Sequence, residues 1–230
     1  MRRDFRVIKR FWQVIFSCYT AVMFLSISYL VALVVILTFH EFAHAWVAMR
    51  LGDPTADRAG RVSLNPLRHL DFLGTIMLFV AGIGWGKPVP VNPMNFKNPM
   101  RDQALTAFAG PAANLVLAVV AAFPLSYLPE TAETAWILGF CEAVLTLSLI
   151  LFVFNMLPFP PLDGSKFLAI FVPKRFHMQY LSFLKKSMPY FIGFVIVDLY
   201  FLSSVFGFSI IWTIVSTVTF WLKLSILVVV

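Results

Sequence analysis

His40, Glu41 and His44 read HEFAH and follow directly on the apolar run SYLVALVVILTF. Ionisable side chains cost about 2.5–3.5 kcal/mol each inside a membrane-spanning helix, so their presence there marks a working site. On a helix, residues four apart lie on one face, and His40 and His44 can each turn a ring nitrogen to one metal ion. Glu41 sits beside that face, where a carboxylate can bond a water at the metal rather than the metal itself. This is the HExxH arrangement of zinc hydrolases. The competing reading is a polar cluster that packs helices together. Three costly side chains in one hydrophobic helix argue against it.

Two imidazoles do not hold a catalytic zinc alone, and a third protein ligand is expected. Glu130 and Glu133 lie in a short acidic turn, Glu142 lies inside an apolar run, and none belongs to a ligand pattern. Asp163 is better placed, in NMLPFPPLDG from Asn155 to Gly164. Pro158, Pro160 and Pro161 end the preceding helix and bring the acid to the depth of HEFAH. Irregular backbone at that depth is tolerated where it lines a cavity.

The elements that must position these groups follow from composition. The 230 residues are 60% hydrophobic and only 13% charged, against about 45–50% and 25% for a soluble domain. A water-soluble globule and a disordered chain are both excluded. At about 20 apolar residues per span, the chain could fill at most about six or seven membrane helices. The net charge of +7 would suggest nucleic acid in a soluble protein. Here the basic residues fall in short polar gaps between apolar runs, where they set orientation, and no nucleic-acid partner is expected. Cys18 and Cys141 both lie in apolar stretches and read as small buried hydrophobes rather than a disulfide.

Along the chain, Phe11–Met49 is barely long enough for two spans, with a tight hairpin near Ser26–Ser28 as one solution. Leu51–Asp71 is polar, Phe72–Gly82 is apolar but too short to span, and Gly82–Pro99 is too rich in glycine and proline for a regular helix. Spans follow at Ala104–Leu128 (broken by Gly110-Pro111), Ala135–Met156, Tyr190–Val205 and Ser209–Val229. The fold class is therefore an all-α polytopic membrane protein with about five to six transmembrane helices. We expect one integral-membrane domain over 1–230, with a core near 29–172 and a C-terminal helical pair near 188–230. The gap from Arg50 to Arg101 holds seven Lys and Arg and that from Lys174 to Lys186 holds four. Both read as cytoplasmic, which puts the active site toward the cytoplasmic side of a cell membrane, loosely a bacterial one.

HEFAH, GRVSLNPLRHLD (Gly60–Asp71), GWGKPVPVNP (Gly84–Pro93), AGPAAN (Ala109–Asn114) and NMLPFPPLDG come in an order that resembles the site-2 protease family of intramembrane zinc metalloproteases. The likeness covers roughly Tyr29 to Val172, and it is to the compact branch without PDZ or CBS domains. Phe72 departs from it, where the family pattern has proline. The resemblance implies one zinc per chain on His40, His44 and Asp163, with Glu41 as general base and acid. It implies that Asn155 donates a hydrogen bond to the substrate carbonyl, and that Asn114 lies near the active site. It also implies a membrane-re-entrant hairpin or loop between the zinc-motif helices. There Gly84, Trp85, Gly86, Lys87, Pro88, Val89 and Pro90 would offer an extended edge to an unwound substrate. The expected partners are the lipid bilayer and transmembrane segments of protein substrates.

Two rivals differ in class. A membrane zinc transporter or sensor could use His40, His44 and Asp163 as a transport site, but has no need of Glu41 or Asn155. An inactive relative acting as a binding partner would have no reason to keep the full set. His69 and His177 read as solvated loop residues, and Asp198 as an interfacial or helix-partnered acid.

Overall fold

A computed structural model describes residues 27–81 and 86–230. Gly84, Trp85, Cys18 and Ser26 lie outside the described residues, while Ile27 and Ser28 of the hairpin expected near Ser26–Ser28 are helical. The elements are α1 (Ile27–Arg50), a short α2 (Thr55–Arg58), α3 (Phe72–Ala81), α4 (Pro99–Tyr127), α5 (Ala135–Asn155), α6 (Asp163–Leu168), α7 (His177–Lys186), α8 (Met188–Ile196), α9 (Ser203–Phe206) and α10 (Ile210–Val229). A π-type turn, Val197–Leu202, joins α8 to α9. Among the described residues, five stretches are long and apolar enough to cross a membrane: α1, α4, α5, Met188–Phe206 and α10. The chain is an all-α polytopic membrane protein. The described residues contain no strand, only an isolated antiparallel bridge between Leu70 and Gly86.

Helices dominate because a bilayer offers no partner to backbone N–H and C=O groups, which must be satisfied within the segment. Side-chain size then decides how the helices pack. The centre of the α1–α4–α5 bundle is built on Ala32, Ala118, Ala121 and Ala143 with Ile36, Leu145 and Leu149. Small residues let backbones approach closely where no hydrophobic effect drives the helices together. The exposed faces carry large apolar side chains such as Val31, Trp46, Val116, Phe123, Phe220 and Trp221, as lipid contact requires.

The Gly110-Pro111 step does not break its span. α4 runs unbroken through Pro111 and Pro124, as membrane helices tolerate proline where the freed carbonyl can be satisfied locally. Glu142, which the sequence left without a role, is paired with Lys223 of α10, whose ammonium also reaches Thr146 Oγ1 at 3.2 Å. A charge pair thus fixes the last helix to the core. Asp198 is a helix-partnered acid. It is fully buried and caps α10, accepting from Ile210 N at 2.7 Å and Ser209 Oγ at 2.5 Å.

Between α1 and α4 the polar loop is organised around Asp53, which is fully buried. Its carboxylate accepts from Asn92 N (2.7 Å), Asn95 Nδ2 (2.6 Å), Thr55 Oγ1 (2.5 Å) and Thr55 N (3.1 Å). Burial pushes this carboxyl up, but the bonds from Thr55, Asn95 and Asn92 outweigh it and hold it below the usual carboxylate range. A carboxyl with a depressed folded value stabilises the fold above its unfolded pKa of about 3.9, and the benefit disappears as pH falls through the lower folded value. Amide exchange across 51–98 should therefore quicken below about pH 4, and Asp53→Asn should flatten that dependence. An Asn variant with the wild-type pH profile would contradict it.

Asp71 accepts from Gly74 N at 2.8 Å and caps α3. Phe72 occupies the first helical position, where proline is favoured but not required. The departure from the family pattern is thus accommodated without disturbing the turn.

Candidate metal centre

The site forms where the C-terminal half of α1, the first half of α4 and the start of α6 meet. His40 and His44, one turn apart on α1, bring their rings edge to face with centroids 4.6 Å apart. Asp163 arrives from the other end of the chain because α5 stops at Asn155 and the proline-rich turn redirects the backbone. Its Oδ2 lies 3.0 Å from His44 Nε2 and 3.3 Å from His40 Nε2, and the two Nε2 atoms are 3.0 Å apart. One ligand atom from each of these three buried residues falls within 4.8 Å of the others. His44 and His40 lie about 9 and 15 Å from the end of α1 at 1.5 Å per residue, well inside a membrane-length helix.

The outer hydrogen bonds show what these atoms can do. His44 Nδ1 lies 2.7 Å from the carbonyl of Thr106, which can only accept. Nδ1 therefore carries the proton, and Nε2 of the neutral ring presents a lone pair. His40 Nδ1 lies 3.1 Å from the carboxamide of fully buried Asn114, whose Oδ1 is otherwise unpartnered. Turned so that Oδ1 accepts from Nδ1–H, the carboxamide satisfies its buried oxygen and leaves His40 Nε2 with a lone pair too. With both rings neutral in this form, two lone pairs and a carboxylate oxygen converge within 3.0–3.3 Å of one another. Such a set repels itself unless a cation sits among its members, and its donors suit zinc. The residues fit the metal.

Close approach of α4 makes this possible. A Cβ built on Gly110 would lie 2.3 Å from His44 Nε2 and 2.7 Å from His40 Cε1. One on Gly164 would lie 2.4 Å from the carbonyl oxygen of Met156, so glycine also permits the tight turn that carries Asp163. The other oxygen of Asp163, Oδ1, pairs with Lys166 Nζ at 3.0 Å, leaving Oδ2 to face the histidines.

Glu41 is half-buried beside the pair, on the side of the loop segment that follows α3. A Cβ on Gly86 would lie 3.7 Å from Glu41 Oε1 and 3.3 Å from the carbonyl oxygen of His69. The backbone from Gly86 onward is extended and non-helical, and Lys87 N donates to His69 O at 2.7 Å. Lys87 and Pro88 are exposed, whereas Val89 and Pro90 are half-buried.

Other residues stand as follows. Asn114 is packed against His40 with no exposed surface. Asn155 ends α5, and its Nδ2 donates to Leu151 O at 3.0 Å within its own helix. His69 is not solvated: it is 1% exposed, with Nε2 against Ser63 O at 2.6 Å. His177 is half-buried and lies 2.8 Å from Val172 O. Sequence reasoning missed Arg61 as well. It is 4% exposed, and its guanidinium donates to the carbonyls of Lys87 and of Pro88, the latter at 3.2 Å. Burial pushes Arg61 down from its usual value, partly opposed by the charge of Glu41.

Known proteins agree with this chemistry. The chain is 44% identical over 149 residues to a Bacillus subtilis (strain 168) protein named "Putative zinc metalloprotease YwhC", covering 62% of this chain and 68% of the relative. It is 34% identical over 137 residues to "Putative zinc metalloprotease Rip2" of Mycolicibacterium smegmatis, covering 56% of this chain and 51% of that relative. Rip2 of Mycobacterium tuberculosis (strain Erdman) is 37% identical over 134 residues, with the same coverage. The chain thus spans about half the length of the Rip2 relatives it matches. No family model matches it. No solved structure matches it. The extent of the match to YwhC, on a chain that brings two histidines and an aspartate to one point, shows that it belongs to the zinc metalloprotease family of YwhC and Rip2.

Proposed function

We propose that this chain is an intramembrane zinc endopeptidase of the site-2 type, in the compact branch, hydrolysing peptide bonds within transmembrane segments of substrate proteins. The observation that carries the reading is the convergence of His40, His44 and Asp163 inside a membrane-length helix, with Glu41 beside them. His40 Nε2, His44 Nε2 and Asp163 Oδ2 would hold one zinc. When bound there, zinc supplies Lewis-acid activation of a water and of the scissile carbonyl.

The remaining steps fall to the chain's own residues. Glu41 takes the proton of the attacking water and returns it to the leaving amine. Asn155, released from Leu151 O, donates to the carbonyl oxygen as charge builds there. Thr106 and Asn114 hold the imidazoles in the tautomer that leaves each Nε2 free. A substrate helix must unwind to expose its carbonyls, and the Gly84–Pro90 segment would receive the freed backbone by strand addition. The basic loops on the side of the site favour a cytoplasmic orientation in the cell membrane.

Lys166 should matter to metal affinity. Removing a group that orients a metal ligand typically weakens binding about 10–100-fold, so Lys166→Met should lower zinc affinity by that factor in competition with a chelating dye. Unchanged affinity would mean that Oδ1 needs no partner.

The proposal is tested in liposomes with a single-span substrate, the products mapped by mass spectrometry. A cut inside the apolar span, abolished by chelator and restored by zinc, is expected. Cuts confined to the flanking polar residues would overturn the intramembrane reading.

A further inference from the structure

The non-helical segment from Gly86 to Asn92 cannot hold its own shape. Pro88 and Pro90 have no N–H to pair, and among the described residues one bridge, Leu70 to Gly86, ties the segment to another backbone. Its form is imposed from outside at two places. At the far end, Asn92 N is held by Asp53. At the near end, His69 O takes the N–H of Lys87, and Arg61 takes the carbonyls of Lys87 and Pro88 with both arms of its guanidinium.

Arg61 is an expensive means of holding a loop. It is buried at 4% exposure, and among the described residues it has no carboxylate as a hydrogen-bond partner and its Nε–H has no partner. A planar fork of donors is what two successive carbonyls require, and lysine cannot replace it in kind. The segment so fixed passes Glu41 at Gly86, and the negative charge of Glu41 partly offsets the burial of Arg61. Beyond the clamp, the N–H groups of Val89 and Val91 donate to no protein atom among the described residues. They are spaced two apart, as donors along one edge of a strand are.

We infer that Arg61 is a positioning residue, fixing the extended segment beside Glu41 so that a substrate backbone paired with Val89 and Val91 lies in register with the base. The inference rests on the peptidase reading above and adds to it the residue that sets the distance between docking edge and base. Arg61 itself touches neither metal ligand nor reacting atom. A misplacement of about 1 Å is enough to cost on the order of 100-fold in rate.

The experiment compares wild type, Arg61→Lys, Arg61→Met and Arg61→Gly in liposomes with a single-span substrate, measuring zinc per chain, kcat, KM and amide exchange over 86–91. Arg61→Met should keep its zinc, lose about 100-fold in kcat/KM and exchange the Lys87 amide faster. Arg61→Lys should recover part of that loss, and millimolar methylguanidinium should restore activity to Arg61→Gly. Wild-type kcat/KM and exchange in Arg61→Met would overturn the inference while leaving the peptidase reading intact. Loss of zinc together with activity, with no rescue by methylguanidinium, would also overturn it, since Arg61 would then serve folding alone. If wild type cuts nothing, the peptidase reading and the register with the base fail together; exchange over 86–91 then reports only whether Arg61 orders the loop.

Discussion

Gly110→Ala is expected to empty the metal centre while leaving the bundle assembled. The added Cβ would stand 2.3 Å from His44 Nε2 and 2.6 Å from His44 Cε1, distances no real contact reaches. Neither ring can step aside. His44 is tied to Thr106 O and His40 to Asn114, both on the same helix as Gly110. The strain must be relieved by lifting α4 from α1 or by turning a histidine out of the site. Overpacking of this kind costs about 1–3 kcal/mol of stability, which a membrane bundle can survive. The ligand set cannot survive it, and activity should fall by more than about 100-fold, the usual result of a 1 Å displacement. Gly139 is the control, since a Cβ there meets nothing within 4 Å. Gly110→Ala with full zinc and activity would show that α4 does not approach the histidines as described.

Glu41→Gln should leave zinc in place and remove turnover. The substitution keeps size and shape beside His40 but cannot accept a proton from water. General acid–base groups contribute about 10²–10⁴-fold, and a loss in that range is expected in kcat with KM little changed. The same variant separates the peptidase from a zinc transporter, which has no use for a base at this position. Zinc flux through liposomes that survives Glu41→Gln, with no proteolysis in wild type, would favour the transporter.

Much of this was legible in the sequence because its signals are local. HEFAH carries its meaning in a four-residue spacing, and the spans announce themselves by length and hydropathy. The proline run before Asp163 marks a helix end whatever lies around it. Other roles depend on packing between distant segments. Thr106 and Asn114 meet the histidines across 62 and 74 residues. In the sequence, Gly110-Pro111 reads as a break in the span, whereas the folded chain keeps the helix continuous and uses Gly110 for close approach. His69 looks like a solvated loop residue, and no motif singles out Arg61, because loops are generally polar and exposed. Here the loop closes over its own polar groups around Asp53, and no sequence spacing reports that closure. The resemblance to site-2 proteases implies the ligands, the docking segment and the nearness of Asn114. It does not point to Thr106 or Arg61.

The most direct measurement is the metal content of detergent-purified protein, prepared without chelator, for wild type and Asp163→Ala. The account predicts about one zinc per chain in wild type, as expected of a site with three protein ligands, and its loss in Asp163→Ala. Zinc retained by Asp163→Ala, or absent from wild type, would contradict the metal centre on which the proposed function stands.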